Sequence, residues 1–410
     1  MICFFYFTQS LKISSKNQEH IFKGVKDKDH VSPEELYFST PSNFHNHINN
    51  IKNNVGDKSN DLVYIVDGQM VSSLEGFPTN IGFQEFSIID QFKGKQELKI
   101  AIINSMSNSI GDHLIGMQAF DYWFDRIKEK LDGTNVVISF FQTNPYELVD
   151  ITKQWQQKIS HIYELPSNVA KIFEQDAFID LGTLLLRDGF DTENMIDFFF
   201  KSLSIDPKSV PNNKKRIKYK TCEESDDKIC KLISKIRKDD NPILLFHSIS
   251  SDPIRQMDDE IAIKTINEII EKSNYTVVSV IPLNIENERF IDISSFSNSI
   301  DDFASIISQV DSIITVDTCT YHIADSFDTP TVVLFTSIDP DLRCRYYPNV
   351  IPIMYEEKDG ILYGKHKQSS DEKEQKKEIE HLSTLWSKLN VDEILHKLKE
   401  CHGRSQTSDN

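Results

Sequence analysis

From Leu98 onward the chain alternates short apolar, β-branched runs with amphipathic stretches of helical length, and this alternation restricts it to α/β folds. A strand written as a nearly continuous apolar run must be covered on both faces, as in a parallel sheet flanked by helices. The first series reads Leu98 to Asn104 as a buried strand, a turn ending in Ser109-Ile-Gly-Asp112, a helix from about His113 to Leu131, and a strand at Asn135 to Phe141. Further strands are expected at Ile159 to Leu165 and Phe178 to Gly182, then a helix around Thr192 to Leu203. A second series begins at Pro242 to His247. It continues through a helix near Asp258 to Lys272, a strand at Tyr275 to Ile281, a helix at Ile300 to Gln309, a strand at Ser312 to Val316, a helix after Thr320 and a strand at Thr331 to Phe335.

At roughly 100–200 residues per domain, 410 residues suggest two or three domains. The expected division is an N-terminal extension at 1–97, a Rossmann-like domain at 98–220, a second at 221–364, an exposed charged linker at 365–378 and a closing helical segment at 379–400. The extension is Asn- and Lys-rich, with strand-like patches at Met1 to Phe7, Asp61 to Val66 and Phe83 to Ile89. The basic run Lys214 to Lys220, following Pro207 and Pro211, reads as a solvated linker edge, with an acceptor-binding patch as the alternative.

Lys and Arg total 45 against 63 Asp and Glu, and the net charge of −18 opposes nonspecific attraction to nucleic acid or anionic lipid. No apolar run approaches the roughly 18–20 residues that cross a bilayer. The apolar start lacks a basic lead and a small-residue cleavage site, so it is read as a strand and not an export signal. Six cysteines without a CxxC pair point to a reducing, cytoplasmic setting.

Open parallel sheets bind ligands beyond the carboxyl ends of their strands. The most informative such loop is Val316-Asp-Thr-Cys-Thr-Tyr-His-Ile-Ala-Asp325, where a buried strand ends in Asp317 and Thr318 and a helix starts at once. Its N–H groups suit a diphosphate, with Thr318, Thr320 and His322 as further contacts. The plainer interpretation makes Asp317 or Thr318 a helix cap and His322 a packed histidine.

Asp317-Thr-Cys-Thr-Tyr-His322-Ile-Ala, followed by Thr329-Pro-Thr-Val-Val-Leu-Phe335 and Asp339-Pro340, resembles the DTGxxHLA…PTVxLFGxTDP signature of glycosyltransferase family 9, the heptosyltransferases. Ser299 to Ile314 is similar to the helix and strand before that signature, Ser109 to Asp112 to the family's glycine-aspartate turn, and Ser250 to Met257 to its phosphate-binding segment. The likeness covers about residues 98 to 400. It implies the GT-B architecture, two doubly wound Rossmann-like domains facing across a cleft, with the acceptor mainly on the first and the nucleotide-sugar on the second.

The implied reaction is inverting, metal-independent transfer of a sugar, usually heptose from ADP-heptose, to a hydroxyl on a glycan, lipopolysaccharide or protein, with no cofactor beyond the donor. The resemblance makes Asp112 the general base. It sets Arg255, in the family's lysine position, against the diphosphate with Ser250, Ser251, Asp317, Thr318, Cys319 and His322. Glu288, or Glu286, takes the ribose, and Asn298 stands beside the base. The family's two signature glycines are Cys319 and Thr336 here, and its tryptophan-proline is Met257-Asp258. The alternative expectation is therefore a non-catalytic nucleotide-sugar or glycan-binding module on the same fold. An epimerase on the twin-Rossmann scaffold is a third.

Overall fold

The computed structural model describes residues 3–7, 11–14, 19–22, 32, 34–40, 62–65, 77–104, 109–143, 149–182, 184, 187–237 and 241–407. The chain divides into two compact units, residues 1–190 with 197–210 and residues 191–196 with 211–410.

The strands of unit 1 are, in chain order, β1 (Cys3–Phe7), β2 (Leu11–Ser14), β3 (Glu19–Phe22), β4 (Tyr37–Ser39), β5 (Leu62–Ile65), β6 (Thr79–Asn80), β7 (Glu97–Ile103), β8 (Asn135–Gln142), β9 (His161–Glu164), β10 (Ser167–Asn168) and β11 (Ala177–Asp180). Its central sheet is parallel, in the order β6-β11-β7-β8-β9. An antiparallel sheet, β10-β4-β1-β5, is built largely from the first 97 residues, and β2 pairs with β3. Helix α1 (Ile110–Lys130) returns the chain from β7 to β8 and buries Leu114, Met117, Phe120, Trp123 and Ile127. Ser109 caps it, and Lys128 and Lys130 complement the dipole of its last turn.

Two sequence expectations change here. Phe83 to Ile89 is not a strand: the chain turns and forms a 3-10 helix, Phe86–Phe92, that buries Ile89 and Phe92. Its apolar residues Phe86, Ile89 and Phe92 recur every third position, which aligns them on one face of a 3-10 helix and on no face of a strand. The helix expected around Thr192 to Leu203 is α2 (Met195–Ser202).

Unit 2 contains β12 (Ile243–His247), β13 (Thr276–Ser279), β14 (Phe290–Asp292), β15 (Ser312–Val316), β16 (Thr331–Phe335) and β17 (Val350–Met354), all parallel, in the order β14-β13-β12-β15-β16-β17. Counted within the unit this is 3-2-1-4-5-6, the doubly wound Rossmann order. The edge strands β14 and β17 escaped the sequence analysis. The first has three residues, and the second is interrupted by Pro352, which an edge position tolerates because its missing N–H faces no neighbour.

The helices of this unit are α3 (Glu223–Ile236), α4 (Asp259–Lys272), α5 (Ile300–Gln309), α6 (Cys319–Asp325), α7 (Asp341–Cys344), α8 (Glu372–Trp386) and α9 (Val391–Thr407). Leu244, Phe246, Ile314 and Leu334 of the sheet share one core with Ile266 and Ile269 of α4 and with Leu382, Leu385, Trp386, Ile394 and Leu398 of α8 and α9. On α3 and α5, which pack together, Lys228 pairs with Asp302 at 2.7 Å.

The charge run at 365–378 is not an exposed linker throughout. Asp371 accepts hydrogen bonds from the Lys373 and Glu374 N–H groups and starts α8 at Glu372, within the run. Glu378 is buried, held by Lys365 at 2.5 Å and by the Ser369 N–H at 2.9 Å. An Asp at the N-cap with a Glu three residues on is a helix start that carries no apolar signal of its own.

The basic run at 214–220 is likewise only half solvated: Lys215, Ile217 and Tyr219 are buried, while Lys214, Lys218 and Lys220 are exposed. Lys215 reaches the Tyr346 hydroxyl at 3.1 Å, Arg216 pairs with Asp325 at 2.9 Å and Asp328 at 2.6 Å, and Tyr219 donates to Asp301 at 2.5 Å. The segment is a strap across its own unit.

Trp386 closes the core beneath the loop that follows β12: its indole N–H donates to the Gln256 carbonyl at 3.1 Å and its ring packs on Tyr355. We expect Trp386→Ala to lower the unfolding free energy by about 3–5 kcal/mol in urea titrations. An unchanged midpoint would show that α8 does not complete this core.

Candidate functional site

In unit 2 the strand order reverses between β12 and β15, so the loops leaving their carboxyl ends diverge and open a crevice above two adjacent strands. The β12 loop runs from Ser248 to Asp252 and enters a 3-10 turn, Pro253–Arg255, capped by the Asp252 carboxylate. The β15 loop is Asp317-Thr318, and α6 follows directly. Side chains join the two loops. The Ser250 hydroxyl donates to the Asp317 carbonyl at 2.9 Å, and Arg255 Nη1 donates to Asp317 Oδ2 at 3.3 Å. Arg255 Nη2 holds the Ser251 hydroxyl at 3.1 Å, and the Tyr321 hydroxyl donates to the other Asp317 oxygen at 2.9 Å.

The arginine is placed by its surroundings. Thr336, at the end of β16, donates to the Ile254 carbonyl at 2.7 Å, so the residue standing for a family glycine braces the turn carrying Arg255. The Gln368 N–H holds Asp252 at 3.1 Å, and the Met257 N–H bonds to the Ser248 carbonyl at 2.9 Å. Arg255 Nε is buried without a protein acceptor, and so are the hydroxyls of Ser248 and Ser337, at the ends of β12 and β16. Buried polar groups in folded proteins are nearly always paired, and these three lie in loops of one sheet edge.

Burial opposes the charge on Arg255, but the adjacent Asp317 outweighs it and raises the guanidinium's pKa. Burial pushes His322 down to about 3, against the pull of Asp317, and pushes His247 down to about 4. Both imidazoles are thus neutral near pH 7. His322 Nδ1 shares a hydrogen bond with the Tyr347 hydroxyl at 2.9 Å, and His247 Nδ1 with the Thr320 hydroxyl at 2.7 Å. Cys319 is half-buried, and its thiol is pushed up to about 11 by burial, so it is a protonated spacer and not a thiolate nucleophile. Thr318 caps α6 in an extended conformation, with its side chain not used in capping.

Ser250, Ser251, Arg255, Asp317, Thr318, Cys319 and His322 therefore lie on the two loops at the reversal point or the helix that follows. Asn298 lies on the same carboxyl edge, after β14, exposed, with its side-chain amide donating to the Ser295 carbonyl at 2.9 Å. Glu288 is not brought to this edge. Phe290 is registered opposite Val277, whose N–H bonds to the Arg289 carbonyl, so Glu288 stands exposed at the amino ends of the strands. Glu286 is exposed in the loop leading there, and the acid at the carboxyl end of β14 is Asp292. Sequence reasoning missed it because β14 itself was not recognised.

Two further residues were missed: Tyr321, which clamps Asp317, and the buried Arg343 of α7. Tyr321 lies four residues after Asp317, one turn into α6, so its reach to the carboxylate is local, whereas the burial of Arg343 is set by the packed sheet edge.

In unit 1 the strand order reverses between β7 and β11. Asp112 sits there in the first turn of α1, half-buried, with its N–H on the Ser109 hydroxyl at 3.4 Å.

The model of glycosyltransferase family 9 (heptosyltransferase) matches residues 297–382. Over this segment the chain is similar to the heptosyltransferases of that family. The matched stretch contains α5, β15, the Asp317 loop, α6, β16, α7 and β17, which is the half of the crevice built on β15 and β16. Among solved structures, the chain is similar to E. coli ADP-heptose lps heptosyltransferase II, with 12% identity and TM-score 0.47, covering 70% of this chain and 98% of that one. It is also similar to a glycosyl transferase family 9 protein from Veillonella parvula, with 14% identity and TM-score 0.45 over 64% and 87%. A third is E. coli heptosyltransferase WaaC with ADP, with 10% identity and TM-score 0.43 over 74% and 100%. The Rossmann assignment of each unit rests on its own parallel sheet. No curated protein matches the chain. Among the described residues, no helix is long and apolar enough to cross a membrane.

Because the folded state depresses both imidazoles, the unfolded chain takes up more protons as pH falls below about 6.5. The stability from keeping them neutral is complete above that pH and is lost toward folded values of about 4 and about 3. Between pH 7 and pH 4.5 we expect the His247→Gln protein to lose about 2–3 kcal/mol less unfolding free energy than the wild type. Identical pH dependence of the two proteins in urea titrations would refute the assignment.

Proposed function

We propose that the chain transfers a sugar from a nucleotide-sugar to an acceptor hydroxyl, and that the crevice between the β12 and β15 loops of unit 2 holds the donor's diphosphate. The observation that carries this reading is Arg255, a buried guanidinium with an unpaired Nε at the reversal point of a doubly wound sheet. A guanidinium bound through one edge to Asp317 and Ser251 keeps N–H donors for phosphate oxygens, and it is preorganised by the Thr336 brace. The Ser251 and Thr318 hydroxyls add donors.

As the bond between the sugar's anomeric carbon and the diphosphate oxygen breaks, negative charge grows on the leaving diphosphate, and Arg255 stabilises it. The acceptor oxygen attacks the anomeric carbon from the opposite face, which inverts the configuration, while Asp112 accepts the hydroxyl proton. A carboxylate is suited to this because it orients the hydroxyl before the transfer by accepting its hydrogen bond. The expected donor is ADP-heptose, and the acceptor is a glycan, lipopolysaccharide or protein. A nucleotide-sugar donor supports a cytoplasmic setting. The cationic work falls to arginine in this reading, so turnover is expected to survive EDTA.

The deciding experiment is a thermal-shift panel of ADP-, GDP-, UDP- and dTDP-sugars followed by turnover assays. Asp112→Asn should lower kcat by about 100-fold or more while donor affinity stays within about twofold. Arg255→Met should weaken donor binding by about tenfold or more. Selective donor binding without turnover by the wild type would favour the non-catalytic module, and donor binding unaffected by Arg255→Met would remove the crevice from the mechanism.

A further inference from the structure

The first 97 residues stand outside the family resemblance, yet they are built into unit 1. Strands β1, β4 and β5 share their antiparallel sheet with β10, where Ser167 lies opposite Phe38, and the Val169 N–H donates to the Leu36 carbonyl at 2.8 Å. Phe4, Leu36 and Phe38 form one core with Ala101 and Ile103 of β7, Phe141 of β8 and Phe178 of β11. Successive side chains of a strand point to opposite faces. On β8, Phe140 meets Phe120 of α1 and Phe141 meets Phe38 of β4, each at 5.2 Å between ring centroids. Helix α1, with Asp112 in its first turn, therefore covers one face of the parallel sheet, and the extension's own sheet covers the other.

The extension also reaches the carboxyl edge of that sheet. Thr40 follows β4, two residues beyond Phe38, and is fully buried. It lies against the backbone of Gly182, where a Cβ would stand 2.5 Å from Thr40 Cγ2 and 2.7 Å from Thr40 Cβ. Only glycine allows this approach. Gly182 is two residues past the end of β11, and its N–H donates to the buried Asp180 carboxylate at 2.9 Å. Leu181 joins β11 to β7: its N–H donates to the Ile103 carbonyl at 2.9 Å, and its carbonyl accepts from Asn104 Nδ2 at 3.4 Å. Thr40 thus supports the turn leaving β11 at the β7–β11 reversal, the place in unit 1 where α1 brings in Asp112.

The polar groups of this edge suit a sugar. Asn104 follows β7, Asp180 ends β11, and Gln142 ends β8 on the α1 side, in step with Phe140. Gln142 is 1% exposed, and its Nε2 has no protein acceptor. A buried amide donor without a partner is rare in folded proteins. Amides and carboxylates together match hydroxyls, since an amide both donates and accepts and a carboxylate accepts.

We propose that the extension forms one wall of the acceptor site and that Thr40 is a positioning residue. By seating Gly182, it sets the Asp180–Gly182 turn against which the acceptor sugar docks for Asp112. The inference rests on reading the carboxyl edge of unit 1 as the acceptor site. It gives residues 1–97 a role in acceptor binding and leaves donor binding to the loops of unit 2.

The test measures transfer from ADP-heptose to a panel of methyl glycosides by the full chain, with donor affinity followed by calorimetric titration of ADP-heptose. It compares wild type, Thr40→Gly, Gly182→Ala, the variant carrying both changes, and Asp112→Asn. Gly182→Ala is expected to raise the acceptor KM by about tenfold or more, because the added methyl group displaces the turn, while donor affinity stays within about twofold. Removing the Thr40 side chain frees the space, so the variant carrying both changes is expected to return to within about threefold of wild type. If Gly182→Ala does not fold, Thr40→Gly alone carries the test, with an expected rise in acceptor KM of about threefold at unchanged donor affinity. An acceptor KM unchanged in Gly182→Ala, or raised there and not recovered by adding Thr40→Gly, overturns the inference. If that happens while Asp112→Asn loses turnover, the acceptor-site reading stands without the extension. If Asp112→Asn keeps full turnover, that reading falls and the inference with it. A wild type that transfers to no glycoside of the panel overturns both.

Discussion

The Arg255–Asp317 pair at 3.3 Å is the contact on which the crevice of unit 2 depends. It joins the loops of two strands that lie side by side in the sheet but 67 residues apart between Ser250 and Asp317 in the chain. Taken alone, a buried ion pair is weak evidence for stability, because desolvating two charges offsets much of their attraction. Its consequence here is orientation. Asp317 has both oxygens occupied, by Arg255 and by Tyr321, so the carboxylate is fixed and fixes one edge of the guanidinium. The other edge ends in an Nε with no protein acceptor.

The two residues that replace family glycines take part in this arrangement differently. Thr336 gains a function from its side chain, since its hydroxyl satisfies the Ile254 carbonyl and steadies the turn that bears Arg255. Cys319 adds volume at the start of α6 and, with its thiol kept protonated, contributes no charge. The crevice thus has Arg255 and hydroxyls as its donors, neutral imidazoles packed behind them, and two carboxylates, Asp317 and Asp252, that are committed to structure.

The remainder of unit 2 supports this edge from below and from the side. Helices α8 and α9 cover the sheet, and Trp386 ties the cover to the loop after β12 through the Gln256 carbonyl. The strap at 215–219 fastens to Asp325 at the end of α6 and to Asp301 at the start of α5. Both were misread as solvated because charge patterning measures residue type, and Lys215, Arg216 and Glu378 are charged residues whose partners lie far away in sequence.

The sequence by itself determined the alternation of strands and helices, the strands β7, β8, β12, β13, β15 and β16, and the loop around Asp317, since each is encoded by local apolar periodicity or contiguous residues. It left β14 and β17 unread because short edge strands, one holding a proline, carry little periodic signal. Only the tertiary structure decided the strand order. Strand order is set by which apolar faces pack together across long separations, and no local pattern records it. The same holds for what depends on it: Glu288 at the amino edge and Asp292 at the carboxyl edge, and the junction of Arg255 with Asp317 across two strands.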